Sequence, residues 1–526
     1  MTTPKATSAQ SQADSGKSLL KASGVTGSMT MVSRVLGLVR DIVIARVFGT
    51  TDAADAFFLA NKIPNFMRRL FAEGAFNQAF VPVLSEYRSL RSQTEVQQLI
   101  NAVTGRLGGM LLLLTLIVMI TAPWLAVPIA FGWYADQAEK FVLFVEMLRI
   151  TFPYLLLISM TALCGAILNS YDRFAVPAIT PAILNISLIS CSFLLAPSLR
   201  EPELALAWGV LIAGFAQLLF QLPFLARMRL LPRPTRAENH EGVKRIMRLM
   251  VPALFGVSVS QINLLLDTVI ASLLVTGSVS WLYFSDRLME MPLGTFGIAI
   301  AIVVLPSLSR KHAEASLGEF RETLDWALRL VCLIALPATL GLILIAEPLL
   351  ITLFLSENFD VNDVISASGS LRAYALGLLA FMAIKILAPG YFARQNTSTP
   401  VRIGVVAMLV NMVLNILFYL AGLAHIGLAL ATSMAALVNA VLLWFGLRQA
   451  DVFHFQAGWL RFGLQLLLGN AAMTIFILML CGPWQQWLEY SLIAQVGNLL
   501  LLITGAVALY ASMLWLAGLR WHHLYR

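Results

Sequence analysis

Charge is what this chain of 526 residues has least of: Asp, Glu, Lys and Arg together make 12%, against roughly 25% in an ordinary soluble domain. That shortage excludes a water-facing surface of ordinary composition, so lipid must be the solvent for most of the fold. Cysteine is scarce as well. Cys164, Cys191, Cys332 and Cys481 all sit inside or at the edge of apolar stretches, with no CxxC pair and no metal-like spacing to a histidine, and read as packing residues. Period-two alternation is missing too: Leu111 to Ile120 and Leu499 to Ala508 are almost continuously apolar, which excludes a spanning β-barrel. No DDxxD-like carboxylate cluster or suitable histidine supplies the Mg²⁺ site of a polyprenyl-lipid phosphotransferase, so no catalytic residue, metal or cofactor is assigned. Met1 to Ser18 has no short apolar run ending in a small-residue cleavage site, and residues 1–20 are expected to be a cytoplasmic tail.

What the chain has is apolar length. Hydrophobic residues make 59%, and runs near 20 residues, enough to cross about 30 Å of hydrocarbon as helix, recur from residue 25 to residue 518. Hydropathy places helices near 25–48, 54–86, 98–130, 139–169, 176–196, 203–226, 243–274 and 278–307. Six more follow near 324–354, 368–393, 400–421, 426–447, 461–481 and 492–518. The expected fold is an all-α polytopic membrane protein of about fourteen transmembrane helices.

Most Lys and Arg lie in short loops between apolar spans rather than on one basic face, so the net charge of +8 reports topology and not nucleic acid. Loop 227–248 holds Arg227, Arg229, Arg233, Arg236, Lys244, Arg245 and Arg248, and the same side collects Arg88, Arg91, Arg173, Arg310, Lys311, Arg321, Arg394, Arg402, Arg448 and Arg520. The opposite loops offer little beyond Lys140 and Arg200, and Ser356 to Asp363 is acidic. Both termini are therefore expected in the cytoplasm and the chain in the inner membrane.

The chain also repeats. Phe80-Val81-Pro82-Val83-Leu84-Ser85 resembles Val304-Leu305-Pro306-Ser307-Leu308-Ser309 at a spacing of 224 residues (306 less 82), and one residue closer Leu148-Arg149 matches Leu371-Arg372 and Pro177 matches Pro400. A period that long suits duplication of a six-helix half. An even number of spans per half puts the pseudo-twofold along the membrane normal, with a cavity between the halves. The expected division is a first lobe over 21–230, a second over 231–450, and two helices beyond the repeat with a short cytoplasmic tail over 451–526.

Charges sit where they should not. The first helix contains Arg34, Arg40, Asp41 and Arg46, and the second Asp55, Lys62, Arg68, Arg69 and Glu73. Each central charge costs about 2.5 to 3.5 kcal/mol on insertion scales, more in sum than the apolar residues of these helices return. On a 3.6-residue period Asp55, Lys62, Arg69 and Glu73 fall within about 40° of one stripe, with Pro64 able to kink the helix between them. Asp286, Arg287 and Glu290 cluster on the eighth helix, in register with the second. Internal ion pairs or snorkelling account for any one of these residues. For the set, the excess of arginine fits a cavity that a phosphate-bearing ligand neutralises.

Two weaker polar features lie elsewhere. Asp267 stands alone in the seventh helix, Asn411 and Asn415 lie one turn apart on the eleventh, and Thr432 projects from the twelfth. A carboxylate with amide and hydroxyl oxygens is a candidate site for Na⁺ or a proton relay, and interhelical hydrogen bonding explains it nearly as well. Glu146, Arg149 and Lys385 read as structural.

The runs Ser33-Arg34-Val35-Leu36-Gly37-Leu38-Val39-Arg40-Asp41, Ala54-Asp55-Ala56-Phe57-Phe58, Pro64-Asn65 and Arg68-Arg69-Leu70-Phe71-Ala72-Glu73-Gly74-Ala75-Phe76 closely resemble the MurJ (MviN) lipid II flippase family. The likeness extends over nearly the whole chain, including Gly277-Ser278-Val279-Ser280-Trp281, Asp286-Arg287-Leu288-Met289-Glu290 and Leu387-Ala388-Pro389-Gly390. It implies the multidrug/oligosaccharidyl-lipid/polysaccharide exporter fold, two six-helix lobes about a cavity with two extra helices forming a lipid-tail groove. It implies transfer of lipid-linked peptidoglycan precursor between leaflets by alternating access, by a monomer working with the cell wall synthesis machinery. Arg34, Arg40, Arg68 and Arg287 match family cavity arginines and are the candidates for the pyrophosphate, with Asp41, Asp55, Lys62, Arg69, Glu73, Asp286 and Glu290 as gating or cavity ion pairs. Family members vary at the ion site, where an Asn at 415 brings no charge. An ion-coupled exporter of another lipid-linked oligosaccharide or of drugs shares the architecture, but cationic drugs favour acidic walls.

Overall fold

A computed structural model describes residues 28–29, 31–70, 76–235, 240–314 and 316–520. Among the described residues there is no strand, and every apolar run is helix. The helices are α1 (31–48), α2 (Asp52–Arg68), α3 (Asn77–Leu90), α4 (Gln93–Ile129), α5 (Phe131–Asp136), α6 (Ala138–Thr151), α7 (Tyr154–Ser170), α8 (Ala175–Leu194), α9 (Leu204–Arg227) and α10 (Glu241–Ala271). They continue as α11 (Ser278–Pro292), α12 (Ile298–Ala313), α13 (Leu317–Leu344), α14 (Ala346–Phe354), α15 (Val361–Leu376), α16 (Leu378–Phe392), α17 (Ser398–Leu420), α18 (Ala424–Gln449), α19 (Trp459–Cys481), α20 (Gln485–Glu489) and α21 (Leu492–Leu516).

Eleven helical stretches among the described residues are long and apolar enough to cross a membrane, α6–α7, α11–α12 and α15–α16 each counting as one. Their surfaces are inverted relative to a soluble protein: Leu112, Leu113, Leu116, Ile117 and Ile120 of α4 and Leu500 and Leu501 of α21 point outward. Backbone polar groups are satisfied inside the helices, as hydrocarbon requires. α1 and α2 are not among the eleven. With Arg34, Arg40, Asp41 and Arg46 on one and Asp52, Asp55, Lys62 and Arg68 on the other, they carry the charges the rest have shed.

The chain divides into two compact units, 1–48 with 52–261, and 49–51 with 262–526. Within the first, α2 packs on α6, α3 on α4 and α7, α7 on α9, and α8 on α9. The second unit has the same neighbours in the same order: α11 on α15, α12 on α13 and α16, α16 on α18, and α17 on α18. It adds α19 against α13 and α21, where Gly469 lets Tyr510 come so close that a Cβ would meet its ring at 3.0 Å.

Long spans are broken at matching places. A π turn over Leu293–Gly297 separates α11 from α12, and π geometry also begins at Arg69, 224 residues earlier (293 less 69). Pro153 opens α7 and Gly377 precedes α16, again 224 apart (377 less 153). Proline explains the first of these directly, since it has no N–H to carry the helical ladder across. α2 runs helically through Pro64 as far as Arg68, so the expected disturbance falls after the proline and not at it.

Candidate functional site

In the first unit α1 ties Arg40 and Asp41 to each other and to α8. Arg40 donates from Nε and Nη2 to Oδ1 of Asp41, at 2.9 and 2.6 Å, and from Nη1 to Oδ1 of Asn185 on α8 at 2.9 Å. Asn185 returns a bond from Nδ2 to the carbonyl of Ser33 at 3.0 Å, so one amide ties two turns of α1 to α8. Asp41 is 3% exposed, and the fork of Arg40 is what makes its burial tolerable. Arg40, a candidate for the pyrophosphate, thus has three nitrogens already bonded. Arg34, two turns away, is half-buried and has no bonding partner among the described residues. Sequence reasoning misses Asn185; a lone amide in an otherwise apolar helix is its signal.

Asp55, expected in a gating or cavity ion pair, meets Lys140, Nζ lying 3.0 Å from Oδ2 of Asp55 and 2.9 Å from Oδ1 of Asp52. Lys140 is not a loop residue. It lies in the first turn of α6, 4% exposed, with its ammonium 4.5 Å from the ring centre of Trp133. Hydropathy takes the boundary of α6 for solvent because one lysine there looks like topology, whereas packing of α6 on α2 closes over it.

Arg68 and Asn65, near the end of α2, are bonded at 3.3 Å and both line a cavity of about 510 Å³. Its remaining wall comes from α3, α7, α8 and α9, entirely within the first unit. Gln217 and Gln221, one turn apart on apolar α9, project into it; charge counting passes over them, although their spacing is plain in the sequence. Lys62 and Arg69 are half-buried on α2 and just beyond its end, and Glu73 lies outside the described residues.

The second unit groups the remaining candidates. Asp267 on α10 accepts from Nδ2 of Asn411 and of Asn415, both at 2.7 Å. Both asparagines are fully buried on α17, and Oδ1 of Asn415 has no hydrogen-bond partner among the described residues. Thr432 spends its hydroxyl proton on the carbonyl of Leu428 at 3.0 Å, which leaves its oxygen lone pairs. Three of the four residues singled out for a cation are thus joined directly. On α11, Arg287 bonds Oε2 of Glu290 at 3.0 Å and lies 5.1 Å from the ring centre of Tyr283. Asp286, half-buried, precedes Arg287 on the same helix.

The family model described as "Lipid II flippase MurJ" matches residues 44–497. A protein of Haemophilus influenzae named "Probable lipid II flippase MurJ" is 48% identical over 508 residues, covering 94% of this chain and 99% of its own length. One of Burkholderia cenocepacia named "Lipid II flippase MurJ" is 39% identical, with 97% and 99% covered. Among solved structures, "Lipid II flippase MurJ, inward closed conformation" superposes with a TM-score of 0.76 at 27% identity, over 93% of this chain and 97% of its own. An inward-facing MATE-family multidrug transporter shares the fold alone, with a TM-score of 0.66 at 14% identity, over 81% and 98%. This multi-pass membrane chain belongs to the lipid II flippase MurJ family.

Proposed function

We propose that this protein flips lipid II, the undecaprenyl-pyrophosphate-linked peptidoglycan precursor, from the cytoplasmic to the periplasmic leaflet of the inner membrane, the step that feeds cell wall synthesis. The observation that carries the reading is the placing of Arg34, Arg40 and Arg68 on α1 and α2 and of Arg287 on α11, in spans that lose insertion energy by holding them. Guanidinium forks suit a pyrophosphate, whose charge they neutralise bidentately. Arg34 is the first contact, since its fork is uncommitted among the described residues, while Arg40 and Arg287 exchange Asp41 and Glu290 for phosphate oxygens as the carrier changes state. Lys62, Arg69 and Glu73 in the first unit and Asp286 in the second are further charges assigned to exchange partners during the cycle.

The architecture we propose is fourteen spans, the eleven apolar ones with α1, α2–α3 and α10, in two six-helix lobes on a parallel pseudo-twofold with α19 and α21 added. Both termini are cytoplasmic, the protein acts as a monomer beside the cell wall machinery, and it performs transport without covalent chemistry. The matched helix neighbours in the two units support the duplication. Coupling is assigned to Asp267, Asn411, Asn415 and Thr432, which offer a carboxylate and neutral oxygens to Na⁺ or a site for a proton.

The test is complementation of depleted cells with leaflet-resolved measurement of lipid II. Arg34→Ala and Arg287→Ala each abolish growth rescue while the protein still reaches the membrane, and lipid II stays in the cytoplasmic leaflet. Full rescue by both would return these charges to a structural role. Asp267→Asn removes dependence on the sodium or proton gradient; unchanged dependence would discard the ion site. Export of another lipid-linked oligosaccharide or of a drug is the second reading, and outward accumulation of lipid II in depleted cells would favour it.

A further inference from the structure

We infer that the second unit carries a phosphate-binding site, apart from the charges assigned to transport, in the crevice where the turn after α16 meets the start of α13. The crevice has a volume of about 380 Å³, within the range of small-molecule sites, roughly 300–1,000 Å³. Lys311 and His312 at the end of α12, Ser316 before α13, Arg394 after α16 and Asp451 after α18 supply its polar wall. On the proposed topology it opens at the cytoplasmic ends of the spans.

The duplicated scaffold shows what belongs in this place. In the first unit the turn after α7 bears Tyr171 and Asp172, and Arg88 at the end of α3 closes on it. The guanidinium donates to the carbonyl of Ser170, lies 4.6 Å from the ring centre of Tyr171 and pairs with Asp172 at 3.8 Å. A left-handed residue marks the same turn in both units, Asp172 at φ 62° and Gln395 at φ 59°, 223 residues apart (395 less 172). Arg394 therefore stands where Tyr171 stands, and His312 where Arg88 stands, 224 residues on (312 less 88). Cation and ring have changed places, but the acid is gone, since Gln395 replaces Asp172. The start of the next helix differs in the same sense. Ser92 caps α4 in a reciprocal pair with Glu95, whereas the matching Ser316 makes no cap bond with its side chain and Glu319 turns to Lys311 at 3.6 Å.

Arg394 is left holding the charge of this place. Half-buried on the crevice wall, its side chain has no hydrogen-bond or ion-pair partner among the described residues. Lys311, which donates to the hydroxyl of Thr323 at 2.8 Å, adds a second cation to the wall. Asp451 does not supply the acid, because it already takes Arg321 at 2.9 Å and His454 at 2.6 Å. The missing partner is thus an anion from outside the fold. A planar guanidinium fork with an ammonium beside it suits the oxygens of a phosphate. Such a phosphate reaches the crevice on a lipid headgroup or free in solution, and basic pockets at the cytoplasmic ends of spans are where acidic headgroups bind.

The experiment titrates the full-length protein, purified in detergent and freed of bound lipid, with phosphatidylglycerol, counted by native mass spectrometry, and separately with inorganic phosphate, counted by equilibrium dialysis. Arg394→Gln removes the fork. Gln395→Asp gives Arg394 the acid that Arg88 finds in Asp172, in a left-handed conformation that Asp172 already adopts. Arg402→Gln, near the start of α17 and outside the crevice lining, lowers the net charge by the same single unit and is the control. Arg394→Gln and Gln395→Asp each lower affinity by about fivefold, the worth of one basic contact, and Arg402→Gln leaves it unchanged. A loss for phosphatidylglycerol assigns the crevice to a lipid headgroup, and a loss for inorganic phosphate alone assigns it to a soluble anion. Should Arg394→Gln fail to fold, Gln395→Asp decides alone. Wild-type affinity in either folded variant, an equal loss in Arg402→Gln, or no saturable binding of either probe would overturn the site. The flippase reading, which rests on other residues, stands in each case.

Discussion

In the first unit the start of α6 is fastened to the start of α2 by Lys140, which meets Asp55 at 3.0 Å and Asp52 at 2.9 Å. In the second, 223 residues later (363 less 140), Asp363 in the first turn of α15 accepts the indole N–H of Trp281 on α11 at 2.8 Å and the hydroxyl of Thr50 at 2.7 Å. Asp363 also accepts the backbone N–H of Asp360, whose own carboxylate caps α15 in return. The same helix pair is tied at the same end by opposite chemistry, a buried cation between carboxylates in one case and a carboxylate among neutral donors in the other. What the duplicated scaffold holds constant is the place that needs a tie. The residues that supply it have diverged, and with them the energetic consequence of losing one partner.

That difference gives the largest predicted effect. Lys140→Met strands Asp55, which is 1% exposed, without its lysine, and costs about 3 to 5 kcal/mol. Asp363→Asn keeps an oxygen for Trp281 and Thr50 and costs about 1 kcal/mol. Thermal unfolding of the two purified variants checks this, and equal losses would erase the distinction. Combining Lys140→Met with Asp55→Leu recovers most of the stability, because apolar groups replace both members of a buried pair at little net cost. Rescue of depleted cells by that double variant shows a static tie; stability without rescue shows that Asp55 changes partners during transport.

Much of this architecture is legible in the sequence. Apolar length places the starts of the eleven apolar spans to within seven residues, as 324 against Leu317 and 368 against Val361, since hydrocarbon thickness leaves helices little choice. The repeat anticipates Arg149 and Arg372, 223 residues apart (372 less 149), and the structure pairs them with carbonyls 224 apart, Met119 and Ile343 (343 less 119). Asp267 can be grouped with Asn411 and Asn415 because a buried carboxylate must find donors. Partners are harder. Lys140 and Asp55 are 85 residues apart and Arg40 and Asn185 145, and one sequence carries no signal for such pairs. The glutamine wall of the cavity escapes for a different reason: amides add no charge, so neither hydropathy nor charge counting marks them.

Arg149 and Arg372 sharpen the comparison between units on a smaller scale. Each donates from Nε to a carbonyl at 3.1 Å, but Arg372 also bonds Glu347 at 2.6 Å, and Glu347 is 8% exposed with Ser368 as its other partner at 3.2 Å. Pro123 stands where Glu347 would repeat, so Arg149 has no acid there (347 less 224). Replacing Arg372 by Leu leaves a nearly buried carboxylate supported by one hydroxyl, for a loss of about 2 kcal/mol. Replacing Arg149 by Leu removes one exposed bond to a carbonyl and costs about 0.5 to 1 kcal/mol. Adding Glu347→Gln to Arg372→Leu should return stability toward the Arg149→Leu value in the same unfolding assay, because the surplus loss belongs to the stranded charge. If the added change brings no recovery, the surplus lies in packing of the arginine stem, and the two units differ there in shape instead of charge.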